Sequence, residues 1–422
     1  MKKVTELVNR SILLFILGAL VLGLGSFSVH AQIDTPVKTI GPSIEYKEIG
    51  VYDKGKLATI HGKGLDAFLA TSTFSRDDLR KSFAGPMNSV RLFKVRYQTS
   101  IPELGGRPTM VSGLLAIPEI QSKSAPMVSY QHGTVFERAS VPSNPESSFE
   151  MQLILATFAS QGYVAIGADY IGLGDSSEAN TYGQPGASVQ ASLDLLYAAR
   201  AILRAQGIES THLFLHGWSQ GAYNTLQFLR RLELIGEKVD GAAVAAPPTD
   251  IRLWLSRLMN NRQPGDAPWI IGAASNLVMA ADAYSIPGLA LQAIRTPYLE
   301  PARKFFNFEI GIMEFLSQVP SDPKDFFYEE FRATGTFGNS LFWFGAERSE
   351  AYRWAVKTPL KVYYGELDEV IPTEIAKLPE IAAKLFGTQT KSISAGARAD
   401  HRGAYVFSLL ETVDWHRELM KR

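Results

Sequence analysis

The sequence predicts an α/β protein with a mostly parallel central sheet flanked by helices. From residue 90 onward, short β-branched and aromatic runs alternate with longer segments of helical period. Several of the short runs are apolar throughout, as expected for strands that are buried on both faces of a parallel sheet. The composition agrees, because 46% hydrophobic and 20% charged residues are typical of a folded chain with a sizeable core.

The individual elements follow from this pattern. Strands are predicted at residues 90–97, 109–117, 126–131, 163–169, 212–216, 241–246, 360–364 and 391–394. Helices are predicted where apolar residues return at three- and four-residue spacing, at residues 149–160, 187–206, 222–234, 373–385 and 405–419. Residues 32–50 contain glycine and proline among polar residues and predict an extended lead-in on the surface.

One long segment interrupts the alternation. About 110 residues separate the strand that ends near residue 246 from the strand that begins at residue 360, and a compact domain does not carry a structureless loop of that length. The segment is rich in aromatic residues and helix formers, so it predicts a helical cap inserted before the last two strands. The predicted organisation is a leader at 1–31, an N-terminal extension at 32–89, a first part of the core at 90–248, the cap at 249–357 and a second part of the core at 358–422.

The first thirty-one residues have the pattern of a secretory signal peptide. Lys2, Lys3 and Arg10 precede an apolar run at residues 12–22, and small residues follow up to Ala31. We expect cleavage after Ala31 and a secreted or periplasmic protein with no stable membrane span. An uncleaved membrane anchor is the alternative, because the run approaches a minimal span if Gly and Ser are tolerated within it.

Charge and cysteine content exclude several classes of protein. Lys plus Arg and Asp plus Glu total 42 each, so no basic excess attracts nucleic acid or an anionic membrane, and a small, neutral or weakly charged ligand is expected. The chain has no cysteine, which excludes a disulfide, a lipid-modified N-terminal cysteine and a thiolate nucleophile or metal ligand. The oligomeric state is left open.

A short motif marks Ser219 as a candidate nucleophile. The run Gly217-Trp218-Ser219-Gln220-Gly221 matches G-x-S-x-G, between an apolar strand and a helix that begins at Gln220. In such a turn the serine takes a strained backbone conformation, and small residues two positions before and after it leave room for the chain to fold back. The alternative is a chance match in an ordinary turn.

A serine nucleophile requires a base, and the base requires an orienting carboxylate, in the chain order Ser, Asp or Glu, His. His401 follows the last strand and can reach over the sheet edge, whereas His416 falls within a helical pattern and is interpreted as a solvated residue. His401 is therefore the candidate base. Asp368 is the candidate acid because it follows a strand and leaves room for one helix and one strand before His401; Glu366 and Glu369 are the alternatives.

The oxyanion of a tetrahedral intermediate requires two backbone amides. Gln220, directly after the nucleophile, is the first candidate donor. Thr134 is the second, in the loop where His132-Gly133 marks a turn, and a register one residue away is the alternative. His132 is interpreted as a structural residue. Asp400 is adjacent to His401, but neighbouring side chains of an extended chain point apart, so Asp400 is interpreted as a helix cap rather than as the acid. This chemistry requires no metal and no cofactor.

These motifs together resemble those of a known group of enzymes. The residues concerned are 130–134, 169–174, 217–221 and 365–372, with His401 and Gly403. They are similar to the secretory lipases and related bacterial α/β-hydrolases, the group of Candida antarctica lipase A, over about residues 90–250 and 358–405 and weakly across the cap. The elbow differs in having Trp218 and Gln220. The resemblance implies an α/β-hydrolase fold and a secreted lipase or carboxylesterase with a helical lid, acting on a small-molecule ester or lipid.

Two other functions fit the same residues. A secreted serine aminopeptidase would share this fold and triad but needs carboxylates on the cap side of its pocket, for which Glu309, Glu314, Glu329 and Glu330 are available. A non-catalytic binding protein on a hydrolase scaffold is the second, and the order of Ser, Asp and His argues against it. An aromatic run at residues 305–316 is interpreted as a helix buried between cap and core rather than as an acyl site.

Overall fold

A computed structural model describes residues 35–333 and 340–421, and the predicted leader at 1–31 lies outside them. Within the described residues, ten strands form one sheet. In chain order, β1 to β10 are Lys38–Ile40, Ile44–Tyr52, Val90–Ile101, Arg107–Pro118, Ser124–Gln131, Val164–Ala168, Glu209–Trp218, Gly241–Ala245, Leu360–Tyr364 and Thr390–Ser394. The spatial order is β1-β2-β3-β4-β6-β5-β7-β8-β9-β10.

The sheet has an antiparallel part and a parallel part. β1 to β4 pair antiparallel in sequence order, and β4 pairs antiparallel with β6. From β6 to β10 every neighbouring pair is parallel. β6 and β8 are small apolar runs buried along their whole length, because helices cover both faces of the sheet there. The predicted fold class and all eight predicted strands are confirmed.

The helices form layers on the two faces of the sheet and an insertion. Pro185–Ala205 and Gln220–Leu234 pack on one face, and Phe149–Thr157 and His401–Leu419 pack on the other, with the short helices Lys54–Thr59 and Leu65–Leu69. Helices Thr373–Ala376 and Leu378–Phe386 connect β9 to β10. The insertion between β8 and β9 contains Ile251–Asn260, Ile270–Tyr284, Leu289–Ala293, Thr296–Phe306, Ile312–Gln318, Pro323–Phe326, Glu329–Arg332 and Ser340–Arg348. The predicted helical cap is therefore present.

The structure corrects the interpretation of the N-terminal extension. Residues 35–50 of the predicted lead-in at 32–50 do not form a surface extension, because β1 and most of β2 lie there and add two strands to the sheet. β2 pairs with β3 from Ile44 opposite Tyr97 to Tyr52 opposite Val90. Its alternation of half-buried and exposed positions is weak, which is why the sequence pattern did not reveal it.

Two further predictions need correction. The helix predicted at 373–385 is two helices that meet at Lys377, because Pro379 lacks the amide that would continue the first helix. His416 is not solvated: it is fully buried, and its ring stacks on Phe214 with the centroids 3.9 Å apart. It lies one turn from Thr412 on the face of the last helix that packs against the sheet.

None of the helices that the structure describes is long and apolar enough to span a membrane.

Candidate active site

Ser219 lies at a sharp turn between β7 and the helix Gln220–Leu234. Its backbone φ of 58° and ψ of −124° are rare for a residue with a side chain, and the strain is held by a 2.9 Å hydrogen bond from its amide to the carbonyl oxygen of Ala245 on β8. Tyr223, one turn into the helix, donates its amide to the Ser219 carbonyl at 3.2 Å. The turn has the geometry of a nucleophile elbow.

The glycines on either side of Ser219 are required for close packing. A Cβ atom on Gly217 would lie 2.2 Å from Thr225 Oγ1 and 2.4 Å from the carbonyl oxygen of Gly221. A Cβ atom on Gly221 would lie 1.9 Å from the carbonyl oxygen of Gln131. All three distances are far inside van der Waals contact, so only glycine allows strand and helix to approach this closely.

The structure brings His401 and Asp368 together. His401 is the first residue of the last helix, and Asp368 lies in the loop after β9. His401 Nδ1 is 3.0 Å from each oxygen of the Asp368 carboxylate. The amides of Val370 and Ile371 donate to Asp368 Oδ1 at 2.9 and 2.8 Å, which fixes the carboxylate beside His401 Nδ1. His401 and Asp368 are both almost completely buried.

The two alternative acids lie elsewhere. Glu369 accepts a hydrogen bond from the backbone amide of His401 at 3.1 Å, so it contacts the main chain rather than the ring. Glu366 accepts a hydrogen bond from the Ser394 hydroxyl at 2.7 Å in an exposed position. Among the three carboxylates after β9, the geometry therefore favours Asp368 as the partner of the His401 ring.

His401 is held against the elbow by the residue before the serine. Trp218 Nε1 donates to the carbonyl oxygen of His401 at 3.0 Å, and the two rings are 5.0 Å apart. Burial lowers the pKa of His401, but the charge and hydrogen bond of Asp368, together with the charges of Glu369 and Asp400, raise it more, so the net pKa lies above 6.5. His401 Nε2, on the far side of the ring from Asp368, has no hydrogen-bond partner among the described residues.

The two candidate oxyanion donors line the same cavity as Ser219. Gln220 is the first residue of its helix, so its amide has no acceptor within that helix. In the other loop the amide of Gly133 is already bound by Glu150 at 2.7 Å, which favours Thr134 over its neighbour as the second donor. His132 has the structural role predicted for it: its ring nitrogens lie 2.8 and 3.2 Å from backbone carbonyl oxygens, and its ring stacks on Tyr170.

The cavity beside Ser219 is mostly apolar. Its lining consists of Thr134, Tyr182, Gly183, Ser219, Gln220, Tyr223, Pro248, Ile251, Trp254, Trp269, Ala273, Leu277, Val370 and Ile371. No Asp, Glu, Lys or Arg is among these described lining residues. The cap contributes through the helices Ile251–Asn260 and Ile270–Tyr284 and not through the aromatic run at 305–316. Phe305 and Phe315 stack on each other and are buried, as interpreted, but the run is not the single helix expected, because one helix ends at Phe306 and the next begins at Ile312.

The N-terminal extension supports the His401 loop, a role that the sequence did not reveal. Asp400 caps the last helix as predicted, accepting the Gly403 amide at 2.9 Å. Its carboxylate also accepts the Ser72 hydroxyl at 2.6 Å and the Thr73 amide at 2.8 Å. A Cβ atom on Gly403 would lie 2.6 Å from Phe74 Cβ, so the extension packs tightly against the start of the helix that carries His401.

The sheet topology and the geometry of the site together identify the fold to which the chain belongs. These features define the α/β-hydrolase fold: a mostly parallel sheet, a strained serine between β7 and a helix, and an aspartate after β9 paired with a histidine that begins the helix after β10. In the described part of the chain, no three His, Asp or Glu side chains are grouped so that they could hold a metal ion.

Solved structures share this architecture along most of the chain. A candidate hydrolase from Legionella pneumophila superposes with a TM-score of 0.77 at 22% identity, covering 92% of this chain and 98% of that one. The rice cell wall degrading esterase LipA from Xanthomonas oryzae gives 0.72 at 19% identity, with 90% and 97% covered. Candida antarctica lipase A in its closed state gives 0.63 at 15% identity, with 79% and 78% covered.

No protein-family model matches the sequence, and no curated protein does. At these identities the structural likeness establishes the fold: the chain is an α/β-hydrolase in architecture, and the resemblance seen in its motifs extends to the three-dimensional structure.

Proposed function

We propose that this protein is an exported serine hydrolase that cleaves carboxylic esters through an acyl-enzyme. The observation that carries the proposal is the pairing of His401 Nδ1 with the Asp368 carboxylate at 3.0 Å. Nε2 of the same ring has no hydrogen-bond partner among the described residues, and Trp218, the neighbour of the strained Ser219, binds the His401 carbonyl oxygen. The structural neighbours point the same way, because they include an esterase and a lipase.

Each residue of the site has a defined role in the proposed ester hydrolysis. Ser219 Oγ attacks the carbonyl carbon of the ester as His401 Nε2 takes the hydroxyl proton, and Asp368 holds the Nδ1 proton and stabilises the imidazolium that forms. The amides of Gln220 and Thr134 bind the oxyanion. Collapse of the tetrahedral intermediate breaks the bond to the alkoxide, which leaves as an alcohol with the proton from His401. Water, activated by the same histidine, then hydrolyses the acyl-enzyme.

The lining of the cavity favours an uncharged acyl group over a free amino terminus. A peptidase that binds a terminal ammonium needs a carboxylate in its pocket, yet the described lining has none. Glu309, Glu314, Glu329 and Glu330 are exposed on the cap and do not line the cavity. The apolar walls instead suit the acyl chain of a neutral ester, which is why we place the ester hydrolase before the aminopeptidase.

We include export in the proposal because positions 1–31 begin with charged residues, continue with an apolar run and end with small residues, as a signal peptide does. The measurement is the mass of the mature protein recovered from the medium or periplasm, which is expected to begin at Gln32. A chain that keeps Met1 and stays with the cell membrane would contradict cleavage and favour the anchor.

The activity is tested with p-nitrophenyl esters and a fluorophosphonate probe on wild type and Ser219→Ala. We expect the variant to lose at least about 10³-fold in kcat and all labelling, because a triad without its nucleophile retains only binding and oxyanion stabilisation. Ser275→Ala is the matched control, since Ser275 is also a buried serine, lies on a helix that supplies lining residues without lining the cavity itself, and has a hydroxyl with no hydrogen-bond partner among the described residues. Full activity in Ser219→Ala would overturn the mechanism.

Aminoacyl p-nitroanilides separate the alternatives. Ester cleavage with no release from the anilides agrees with the proposal, and the reverse pattern would favour the aminopeptidase. An absence of labelling and of turnover on both substrates would favour the non-catalytic binding protein.

A further inference from the structure

A buried glutamate connects the loop of the second oxyanion donor to the rest of the site. Glu150 lies in the first turn of the helix Phe149–Thr157, away from the three triad residues in the sequence. Its Oε2 accepts the Tyr130 hydroxyl at 2.5 Å and the Gly133 amide at 2.7 Å. One carboxylate therefore binds both the end of β5 and the loop that leads to Thr134.

A hydrogen bond to the Gly133 amide restricts the direction in which the Thr134 amide points. The peptide before Gly133 and the peptide before Thr134 share the Gly133 Cα, and glycine leaves both rotations about it free. Fixing the Gly133 amide removes part of that freedom. The position is also crowded: a Cβ atom there would lie 3.1 Å from Glu150 Oε1 and 3.4 Å from the Trp218 ring, so the loop is pinched between the glutamate and the elbow.

Glu150 also contacts the opposite side of the site through its backbone. Its carbonyl oxygen accepts the Tyr405 hydroxyl at 3.0 Å. The Tyr405 ring stacks on Trp218 with centroids 5.0 Å apart and planes 18° apart, and Trp218 in turn holds the carbonyl of His401. Glu150 thus contacts the oxyanion loop through its side chain. Through its main chain and Tyr405, it is connected to the elbow and to the helix that carries His401.

The carboxyl group of Glu150 is itself buried. Burial raises the pKa of Glu150 above 4.5, and the electrostatic interaction with His132, the hydrogen bonds from the Gly133 amide and the Tyr130 hydroxyl, and the interaction with His401 oppose that rise. A buried carboxyl group is costly unless hydrogen bonds compensate it, and of the two that Glu150 accepts, the one from the Gly133 amide comes from the oxyanion loop. Hydrophobic packing alone would not require a carboxylate at this position.

We propose that Glu150 is a positioning residue, which holds the peptide between His132 and Gly133 and thereby orients the next peptide so that the Thr134 amide faces the oxyanion formed at Ser219. The proposal rests on the proposed function. Glu150 does not touch the reacting atoms; it acts through the Gly133 amide.

The test compares three substitutions at the position. Glu150→Ala removes the carboxylate, Glu150→Asp keeps its charge but shortens its reach by one methylene, and Glu150→Gln keeps a carbonyl oxygen that can accept the Gly133 amide. For p-nitrophenyl ester hydrolysis we expect kcat to fall about 10- to 100-fold in the Ala and Asp variants, somewhat less than the loss of a whole oxyanion donor, with KM within about threefold. Glu150→Gln should stay within about fivefold of wild type.

A second readout separates positioning from general destabilisation. A trifluoromethyl ketone forms a tetrahedral adduct with Ser219 that uses the oxyanion donors, so its Ki should rise in the Ala and Asp variants by about the factor lost in kcat. Tyr130→Phe is the matched control, because it removes the other hydrogen bond to the same carboxylate and leaves the Gly133 amide bound. It should lower the melting temperature without moving kcat or Ki by more than about threefold.

The outcomes are distinguishable. Wild-type kcat and Ki in both the Ala and Asp variants, or a loss in KM alone, would overturn the role of Glu150. If Glu150→Ala does not fold, the Asp and Gln variants decide the question, since equal activity in those two contradicts the proposal. Activity retained by Ser219→Ala would instead overturn the proposed function, whereas an inactive Ser219→Ala beside unaffected Glu150 variants would overturn this inference alone.

Discussion

Replacing His416 with leucine tests how the buried histidines of the last helix set the acid stability of the fold. Both ring nitrogens of His416 lack a hydrogen-bond partner among the described residues, and the side chain is fully buried against Phe214. Burial lowers its pKa well below 6.5, assisted by His216 and Lys361. The native fold therefore holds His416 as a neutral imidazole in an apolar setting.

The size of the effect follows from proton linkage. In the unfolded chain His416 binds a proton as the pH falls below about 6.5, while in the folded chain its lowered pKa keeps it neutral. The unfolded state then binds more protons, so the stability that His416 contributes is complete above pH 6.5 and is lost as the pH falls. Each pH unit costs about 1.4 kcal/mol, so between pH 7.5 and 5.0 the loss reaches up to about 2 kcal/mol.

The assay is equilibrium urea unfolding of wild type and His416→Leu at pH 7.5 and 5.0. At pH 7.5 we expect the two free energies of unfolding to agree within about 1.5 kcal/mol, as for other swaps of similar volume. Between the two pH values the variant should lose less stability than wild type, by up to about 2 kcal/mol. His216, whose pKa burial lowers to about 3, contributes the same loss to both proteins.

His212→Leu is the control, because His212 is only half-buried at the start of β7 and its ring stays in contact with water in the folded state. It should follow the pH dependence of wild type. If wild type and His416→Leu lost equal stability between pH 7.5 and 5.0, the neutral buried state assigned to His416 would be wrong.

Three further predictions concern the site. Since His401 must be neutral to accept a proton and Asp368 raises its pKa above 6.5, kcat/KM should fall as the pH drops through a midpoint above 6.5; Asp368→Asn should lower kcat by about 10⁴-fold and move that midpoint down, and an unmoved midpoint would contradict the pairing. Gly221→Ala should destabilise the fold by at least about 2 kcal/mol in urea unfolding, because its Cβ would lie 1.9 Å from the Gln131 carbonyl oxygen, and wild-type stability would contradict the packing of the elbow. Trp269→Ala removes an aromatic wall of the cavity and should raise kcat/KM for longer p-nitrophenyl esters several-fold relative to the acetate, whereas an unchanged chain-length profile would show that Trp269 does not limit the acyl chain.

Much of the fold is readable in the sequence because it depends on local order along the chain. The apolar runs at β5 to β9 are strands in the structure, and β6 and β8 are buried on both faces along their whole length, as their lack of alternation indicates. The Gly217 to Gly221 run gives the elbow because its constraint spans only five residues. The helical character of the cap could also be predicted, although its individual helices and the ones that line the cavity could not.

The choice among several similar residues required the tertiary structure. The sequence places three carboxylates after β9, and only their distances to the His401 ring favour Asp368 over Glu366 and Glu369. His416 has charged neighbours along the chain, yet it is buried because its helix faces the sheet on that side. In each case the deciding quantity is a direction in space that residue spacing does not specify.

By itself, then, the sequence determined the strand and helix alternation, the serine elbow, the chain order of the candidate triad and the presence of a helical insertion. These are short-range properties, set by backbone sterics and by the periodicity of apolar residues. Only the tertiary structure decided that β2 extends the sheet, that Ser72 and Thr73 bind the cap of the His401 helix, and that Glu150 binds the Gly133 amide. Those contacts join surfaces that become neighbours only after the sheet and helices have packed.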